Sequence, residues 1–440
     1  MTTTFPTAEI PLGFLPLHPI YHDYTHALDL SFTHQDDSLR HALMEIRDTI
    51  VEYGDDGVRM LTCRYDRVRD AQFPLWVTPE EIEDAYTRVS AAFLVAIRDA
   101  RDNITEYHRH QLPQNWEATP REGVRYGAMF HPLDRVALYV PGGRARYPSS
   151  VLMNAIPAMI AGVPDCVIAT PPDADGSVPP EILVAAAECG VSRILRSGGA
   201  QAVFALAYGT PSIPVVDKIV GPGNKYVDGA KQMVFGRVAI DKPAGPSEVV
   251  VYLDREEWTD FAAMEILSQL EHDPDASAFL VAPSEQLLRA TQSAVLRLAV
   301  DRDRVDILKE SLKNFYCIVT STNADTLKTL NGLAGEHLVL LTSDAREMLP
   351  QIRHAGSVFL GPYSPVALGD YAAGPNHVLP TARAARFASP LGVMDFMKYT
   401  SHLEYSEAAL QNLAQTVTTL ARVEGFEAHA HSVDVRLLEG

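Results

Sequence analysis

Short runs of strand-forming residues alternate with helical runs between Arg135 and Asp254, and this alternation constrains the fold more than any other feature of the chain. The strand-like runs are residues 135–140, 165–170, 193–196, 218–220 and 247–253. The helical runs between them are residues 149–161, 180–190, 201–208 and 224–235. Because strands that alternate with helices form βαβ units, the pattern predicts an α/β fold with a largely parallel sheet.

The flanking segments continue this pattern less regularly. A second alternating block has helical runs at 256–270 and 284–299 and strand-like runs at 278–282, 315–320, 338–341 and 357–360. Residues 1–35 are rich in Pro, His and Thr and are predicted to be an extended arm, followed by helices at 38–52 and 79–108. The Pro- and Gly-rich segment 361–380 is predicted to be a long functional loop. After Phe387 we predict a helical tail that ends near Arg422.

Size and charge limit the class of protein. A chain of 440 residues is too long for one ordinary domain and suggests at least two large units. The net charge of −19, with no basic block to offset it, argues against binding to nucleic acid or to an anionic membrane. No apolar run is long enough to span a bilayer, and the N-terminus lacks a basic region followed by an apolar core. We therefore predict a cytoplasmic protein.

The four cysteines are scattered along the chain and are not spaced like metal ligands. Cys166 and Cys317 lie in apolar, strand-like runs and are expected to be buried hydrophobic residues. No cysteine has the polar, glycine-rich surroundings that would lower its pKa. We therefore expect no covalent catalysis by a thiolate.

Glycines cluster where several predicted strands end, as in Pro141-Gly-Gly, Ser197-Gly-Gly, Gly221-Pro-Gly-Asn and Ala244-Gly-Pro. Ligands of α/β proteins bind at this edge of the sheet, where glycines allow close approach and helix N-termini attract anions. The chain nevertheless lacks a Gly-x-Gly-x-x-Gly fingerprint with an acidic residue about 20 positions later. These residues alone predict an anionic ligand and leave its identity open.

Two further pairs of residues have side chains suited to metal binding or proton transfer. Gln269 and His272 are three apart at the end of a predicted helix, so that an amide oxygen and an imidazole could hold zinc on one face. Alone this pair is weak evidence, and it needs ligands from the C-terminal third, where Asp370, His377 and His429 are available. Glu336 and His337 are adjacent, so they reach one site only from the loop that enters the strand at 338–341. A carboxylate and an imidazole suit a reaction with two different proton transfers.

Eight segments resemble one known family. They are Tyr139-Val-Pro-Gly-Gly, Tyr147-Pro-Ser-Ser-Val-Leu-Met-Asn-Ala-Ile-Pro-Ala, Gly198-Gly-Ala-Gln-Ala, Val216-Asp-Lys-Ile-Val-Gly-Pro-Gly-Asn, Ala244-Gly-Pro-Ser-Glu, Ser268-Gln-Leu-Glu-His-Asp, Gly335-Glu-His-Leu and Gly369-Asp-Tyr-Ala-Ala-Gly-Pro-Asn-His-Val-Leu-Pro-Thr. Together they resemble the histidinol dehydrogenases, in that family's order, from about Val136 to His429.

The resemblance implies a fold of two incomplete Rossmann-like domains, one inserted into the other, with an N-terminal arm and a helical C-terminal extension. The implied boundaries are 1–35 for the arm, 36–134 with 248–385 for a zinc-binding catalytic domain, 135–247 for an NAD-binding domain and 386–440 for a dimerisation extension. The implied partners are a small-molecule substrate and a second copy of the chain, since His429 on the extension could reach the partner's site.

The implied reaction is the four-electron oxidation of L-histidinol to L-histidine through L-histidinaldehyde, a step of histidine biosynthesis that uses NAD twice and one Zn²⁺ per subunit. His337 would accept protons in both halves, and Glu336 would activate water in the second. Zinc would be held by Gln269, His272, Asp370 and His429, and NAD by Tyr139, Gln201 and Asn224. Substrate would contact the four zinc ligands together with Ser247, His337, Tyr371, His377 and Glu424.

Two alternatives remain open. A related dehydrogenase of another small hydroxylated substrate, such as a sulfonated diol, would keep the zinc and acid–base residues but change the residues that grip the substrate. The presence of Ser247, Tyr371 and Glu424 favours histidinol. A zinc-binding relative without catalytic activity would have lost Glu336, His337 or a zinc ligand, and this chain retains all of them.

Overall fold

The computed structural model describes residues 19–25, 27, 37–142, 146–242, 245–300 and 302–437. Of the predicted arm, it places Ile20–Tyr21 as a short strand, β1, and residues 1–18 lie outside the described part. Three helices follow: α1 (Asp37–Tyr65), which kinks at Gly54, α2 (Pro79–Arg88) and α3 (Ala91–Arg109). The sequence predicted one helix across α2 and α3. The chain breaks there because Val89 and Ser90 are extended and the Ser90 hydroxyl caps α3 by accepting the Phe93 N–H at 3.1 Å.

Strands β2 (Trp116–Arg121) and β3 (Val124–Pro132) come next and were not predicted. The first parallel sheet then follows the predicted alternation. Its strands are β4 (Arg135–Tyr139), β5 (Asp165–Thr170), β6 (Arg193–Arg196), β7 (Lys218–Val220) and β8 (Ala239–Ile240). Its helices are α4 (Pro148–Ala161), α5 (Pro180–Glu188), α6 (Gly199–Tyr208) and α7 (Lys225–Val234).

The strand order in this sheet is β6-β5-β4-β7-β8, with all neighbouring strands parallel. Successive residues of β4 face opposite apolar cores: Val136 and Leu138 pack on the side of α4 and α5, whereas Ala137 and Tyr139 pack on the side of α1, α6 and α7. The chain reverses direction across the sheet between β4 and β7, and ligands of open α/β sheets bind in the crevice beyond such a reversal.

A second parallel sheet contains β9 (Glu248–Leu253), β10 (Ser277–Ala282), β11 (Phe315–Val319), β12 (His337–Leu341) and β13 (Ser357–Leu360), together with β1. Its order is β1-β11-β10-β9-β12-β13. Its helices are α8 (Thr259–Leu270), α9 (Glu285–Ala299), α10 (Val305–Ser311), α11 (Asn323–Leu333), α12 (Ala345–Met348) and α13 (Val366–Tyr371). Helix α13 lies inside the segment predicted to be a loop.

The C-terminal segment is not wholly helical, which corrects the predicted tail. It begins with strand β14 (Met397–Tyr405), which pairs antiparallel with β3 in a three-stranded sheet of order β14-β3-β2. The alternation of Met397, Tyr399, Leu403 and Tyr405 with polar residues is a strand period. Helices α14 (Glu407–Val423) and α15 (Glu427–Leu437) follow, so helical structure extends well beyond Arg422. Within the part of the chain that the structure describes, no helix could cross a membrane.

Candidate active site

A cleft of about 140 Å³ lies between the two parallel sheets. The carboxyl end of the first sheet supplies the Gly221–Gly223 turn after β7 and Asp241 and Lys242 after β8. The second sheet supplies residues that come just before its strands, Ser247 and Glu336. The segment after α13 completes the wall with His377, Val378, Leu379 and Thr381. The cleft therefore joins the Gly221–Gly223 turn to Glu336, one of the two predicted acid–base residues.

Glu336, which lines this cleft, lies beside His337. His337 is the first residue of β12 and Glu336 immediately precedes it, and both side chains are buried. The Glu336 Oε2 atom accepts the Glu248 N–H at 2.9 Å, and the His337 Nδ1 atom lies 3.1 Å from the Glu248 carbonyl oxygen. The carboxylate and imidazole are 3.6 Å apart. Both side chains thus converge on one backbone residue at the start of β9, as a shared site requires.

The second nitrogen of His337 is turned towards Asp370 on α13. His337 Nε2 lies 3.7 Å from Asp370 Oδ1, too far for a hydrogen bond, and has no hydrogen-bond partner among the described residues. The Asp370 carbonyl oxygen is 2.7 Å from His377 Nδ1, and His377 Nε2 is 3.3 Å from the Ser150 hydroxyl. An unpaired, buried imidazole nitrogen is costly in a finished core, so this atom is a place for a ligand.

Burial and charge shift the protonation of these groups. Burial raises the pKa of Glu336 to about 7, against the opposing effects of His337 and the Glu248 N–H. Burial disfavours the His337 imidazolium, but the neighbouring Glu336 and Asp370 carboxylates outweigh it and raise the pKa of His337 to about 9. Burial likewise opposes ionisation of Asp370, yet the nearby His337, His377 and His272 hold its pKa below the usual range. A carboxyl that titrates near neutrality suits a general base.

Gln269 and His272 lie at the end of α8, and His272 reaches the same cluster. The helix ends at Leu270, so His272 lies in the turn beyond it, and its N–H donates to the Gln269 carbonyl oxygen at 3.2 Å. The prediction that both residues share one helical face is therefore wrong in detail. Gln269 is buried, and His272 interacts electrostatically with Asp370 and His337. The His272 residue is exposed to solvent, yet the protein atoms packed around its ring partly desolvate it and lower its pKa, which favours the neutral imidazole that a metal ligand must have.

The donor set at this place fits zinc. An amide oxygen, a neutral imidazole and a carboxylate are ligands that zinc accepts, and none of them is a cysteine, as expected for a catalytic site with an exchangeable position. In the described part of the chain, no three His, Cys, Asp or Glu side chains are grouped so as to hold a metal ion. Of the four expected zinc ligands, only His272 and Asp370 are His, Cys, Asp or Glu residues that lie at this cluster. Gln269 would contribute an amide, which is not one of those residue types.

The expected dinucleotide contacts lie at the carboxyl end of the first sheet. The Tyr139 hydroxyl accepts the Gly199 N–H at 3.0 Å, and Gln201 on α6 donates from Nε2 to Asp66 Oδ2 at 3.1 Å. Both residues are buried, whereas Asn224 is exposed and caps α7 by accepting the Tyr226 and Val227 N–H groups. The structure thus brings Tyr139 and Gln201 to one place and sets Asn224 on the glycine turn.

Comparison with known proteins gives one consistent result. Residues 31–437 match the family model of histidinol dehydrogenase. The chain is 47% identical over 402 residues to the histidinol dehydrogenase of Halalkalibacterium halodurans, covering 91% of this chain and 94% of the relative. It is 46% identical to that of Bacillus subtilis, with 90% and 93% covered. The chain belongs to the histidinol dehydrogenase family.

The solved structures agree with this assignment. The crystal structure of histidinol dehydrogenase from Elizabethkingia anophelis superposes with a TM-score of 0.91 at 33% identity, covering 96% of this chain and 98% of that one. The mixed α/β fold with parallel sheets is thus that of a histidinol dehydrogenase. As a member of this family the chain is an enzyme, an NAD-dependent oxidoreductase that acts on a small molecule.

Two residues expected at a histidinol dehydrogenase site lie apart from the cluster. Glu424 and His429 are exposed on the tail, at the end of α14 and in α15. The contacts that the structure shows for His429 are local: its N–H donates to the Phe426 carbonyl oxygen at 3.0 Å, and its ring packs on the Phe426 ring. Tyr371 is close to the cluster but 61% exposed. The described subunit therefore brings together Glu336, His337, His272, Asp370 and His377 and leaves the tail residues outside.

The burial of Cys166 and Cys317 was correctly predicted. Cys166 and Cys317 are buried in strands β5 and β11. Burial raises the pKa of the thiols of Cys166 and Cys189 to about 12, and it also raises that of Cys317. Burial and nearby Asp70 raise the pKa of Cys63. Each thiol is therefore protonated at neutral pH.

Several residues around the site were missed by the sequence analysis. Glu248 holds both Glu336 and His337 through its backbone, and its own carboxylate accepts the Ala382 N–H at 3.2 Å. Asp66 contacts Gln201 and the Gly198 N–H. Lys231 and Asp241 form a buried pair beside Gly221. Of these residues, only Glu248 lies within one of the eight segments that resemble the family. None of these contacts follows from local sequence, because each joins separate elements.

Proposed function

We propose that this enzyme oxidises L-histidinol to L-histidine through L-histidinaldehyde, as a step of histidine biosynthesis. The observation that carries the proposal is the cluster of Glu336, His337 and Asp370 beside one cleft, in which the buried His337 Nε2 atom has no hydrogen-bond partner among the described residues. The family membership supplies the substrate, since its curated relatives are histidinol dehydrogenases.

Gln269, His272 and Asp370 would hold one Zn²⁺ per subunit, together with His429 of a second subunit. When bound, zinc supplies a Lewis-acidic anchor for substrate nitrogen atoms and a positive charge that favours the neutral form of His337. The support from this chain is the neutral imidazole of His272 and the ionised carboxylate of Asp370 at one place.

His337 would remove the proton of the alcohol in the first half-reaction and of the aldehyde hydrate in the second. In the neutral form of His337, which bound zinc would favour, the Nε2 atom is the acceptor for this proton, since it has no hydrogen-bond partner among the described residues. The Nδ1 atom is held by the Glu248 carbonyl oxygen, which also fixes the orientation of the ring. Glu336 would activate the water that adds to the aldehyde. Its pKa of about 7 leaves the carboxylate partly ionised and still basic at neutral pH.

Tyr139, Gln201 and Asn224 would contact NAD, which accepts a hydride in each half-reaction. Their support is their position at the carboxyl end of the first sheet, around the β4–β7 reversal. Ser247 and His377 line the cleft and would contact substrate, together with Tyr371 beside Asp370.

Glu424 would bind the substrate amino group from the partner of a homodimer that shares its active sites. The tail carries exposed apolar side chains for such an interface: Leu420, Val423 and Phe426 are 59%, 81% and 54% exposed. The proposed domain boundaries follow the same scheme: an NAD-binding Rossmann-like domain at 135–247 inserted into a catalytic domain, with a dimerisation extension from 386. The cytoplasmic location remains a prediction.

The stoichiometry of turnover tests the proposal. Purified enzyme with zinc, L-histidinol and excess NAD should form two NADH per L-histidine, measured by absorbance and by amino-acid analysis. One NADH per substrate, with the aldehyde as final product, would contradict the four-electron reaction. No turnover of histidinol, but oxidation of a sulfonated diol, would assign the chain to the alternative substrate class.

A further inference from the structure

A closed ring of buried contacts surrounds Gly221, the first residue after β7. The Gly221 N–H donates to Asp241 Oδ2 at 3.0 Å, and the Gly221 carbonyl oxygen accepts from Lys231 Nζ at 2.9 Å. Lys231 Nζ and Asp241 Oδ1 are 2.5 Å apart, with side chains 1% and 2% exposed. One ion pair thus fixes both backbone groups of a single residue.

Gly221 occupies a place where the backbone has little freedom. Its φ angle is +111°, and a Cβ added there would lie 2.2 Å from the Tyr139 carbonyl oxygen. The same carbonyl oxygen accepts from Asn154 Nδ2 at 3.1 Å. Gly221 therefore packs closely between the end of β4 and the buried ion pair. It lies just beyond the point where the pairing of β4 with β7 ends.

The turn held in this way connects the cleft to helix α7. Gly221, Pro222 and Gly223 line the cleft, and Asn224 caps α7, the helix that carries Lys231. Asp241 comes from the other side, just after β8. The pair therefore links the two elements that flank the turn, and a shift of either would move the cleft wall.

Stability alone is a weak reason for this pair. Two charges taken out of water cost free energy, and replacement of a buried pair by apolar side chains is often neutral or stabilising. What apolar side chains cannot do is hydrogen-bond the N–H and carbonyl groups of Gly221. The specific effect of the pair is thus on the conformation of one turn.

We propose that Lys231 and Asp241 are positioning residues that hold the 221–224 turn in the conformation that binds the dinucleotide. The assignment of the ligand rests on the proposed function, in which Tyr139 and Asn224 contact NAD. Without the pair, the turn populates other conformations, and the apparent affinity falls by the fraction of molecules that remain competent. Glu336 and His337 are held by Glu248 on the other sheet, so chemistry in the loaded enzyme is not affected in the same way.

Direct binding of NADH to Lys231→Met tests the proposal without any turnover. We expect the Kd for NADH, measured by fluorescence titration, to rise at least about tenfold, because a charge-assisted hydrogen bond is lost. In steady-state assays the KM for NAD should rise similarly, whereas kcat at saturating NAD should stay within about threefold. A loss of fold would instead lower the active fraction and hence kcat.

A second variant and a matched control separate positioning from stability. Lys231→Met combined with Asp241→Leu removes both charges of the pair, and it should keep the weak NADH binding. The buried Lys242, which also interacts with Asp241, keeps its hydrogen bond to the Ser389 carbonyl oxygen at 3.1 Å. Lys218→Met is the control, since Lys218 lies at the other end of β7 and pairs with Asp395 at 3.0 Å. It should leave NADH binding unchanged.

Three outcomes would overturn the inference. They are NADH affinity within about twofold of the wild type in folded Lys231→Met, recovery of normal affinity in the double variant, and failure of both variants to fold. The last would mean that the pair serves the fold as a whole. Absence of NADH binding in the wild type would instead refute the proposed function.

Discussion

The Glu336 carboxylate lies 3.6 Å from the His337 imidazole, and both side chains are anchored on the backbone of Glu248. The two groups titrate together: the carboxylate favours the imidazolium, and the imidazolium favours the carboxylate. They differ in position, because Glu336 lines the cleft whereas His337 turns its Nε2 atom towards Asp370, and two separate duties require such a difference.

Glu336→Gln should separate the two half-reactions. If Glu336 activates water only in the second half, the variant should oxidise supplied L-histidinaldehyde about 10²–10⁴-fold more slowly, and reduce it to histidinol with NADH far less affected. Both rates are followed by NADH absorbance. His337→Ala is the comparison, and it should impair both directions. Equal losses in Glu336→Gln would show that this carboxylate shapes the site in general.

His272→Ala should abolish zinc binding and histidinol oxidation together while leaving the fold intact. The residue lies in the turn after α8, so its loss removes a ligand without opening an apolar core. Zinc content by atomic spectroscopy, turnover and circular dichroism check this. His110→Ala, at an exposed position after α3, is the control. A variant that keeps one zinc per subunit and near-normal turnover would remove His272 from the ligand set.

Two inactive variants should complement each other in mixed dimers. The exposed His429 and the apolar tail around it suggest that His429 completes the partner's site. Subunits with His429→Ala and with His337→Ala, refolded together in equal amounts, should recover about a quarter of the wild-type activity, because half of the dimers are mixed and each has one intact site. Verified heterodimers without activity would place His429 and His337 of one chain in the same site.

Asp66→Asn should stabilise the NAD-free protein at pH 8 but not at pH 4. Burial raises the pKa of Asp66 to about 6, against hydrogen bonds from Gly198 and Gln201. The folded state therefore binds a proton more tightly than the unfolded state, so the contribution of Asp66 is lost as the pH rises through about 4 to 6. The cost at pH 8 is on the order of 2–3 kcal/mol, since a pKa difference of one corresponds to about 1.4 kcal/mol.

The measurement is the difference in free energy of unfolding between Asp66→Asn and wild type, from urea denaturation at both pH values. Asparagine can still accept the Gly198 N–H, so only the charge is removed. Asp70→Asn, an exposed neighbour that accepts the Gln72 N–H at 2.9 Å, is the matched control. A gain that is the same at pH 4 and pH 8 would show that the ionisation of Asp66 is not its source.

The regular elements of the two parallel sheets were predicted well. Strands β5, β6 and β7 have the predicted bounds. Helices α4 to α7 begin and end within two residues of their predicted bounds. These elements are buried, so the hydrophobic runs, the Asn224 cap and the glycine at the end of α4 act locally and are visible in the sequence.

The antiparallel sheet was missed for a physical reason. Strands β2 and β3 are largely exposed and contain polar residues, and β3 is held by β14, which lies more than 260 residues later in the chain. A strand that is stabilised by pairing, and not by burial of one face, has little local signal. The predicted all-helical tail was wrong for the same reason.

The sequence by itself determined the α/β class, the parallel sheets and the family, because local propensity and motifs carry that information. Tertiary structure alone decided that Glu248 anchors Glu336 and His337, that Asp66 lies against Gln201, and that Lys231 and Asp241 enclose Gly221. Each of these contacts joins residues from separate strands or helices. Their energies depend on burial and distance, which no local pattern contains.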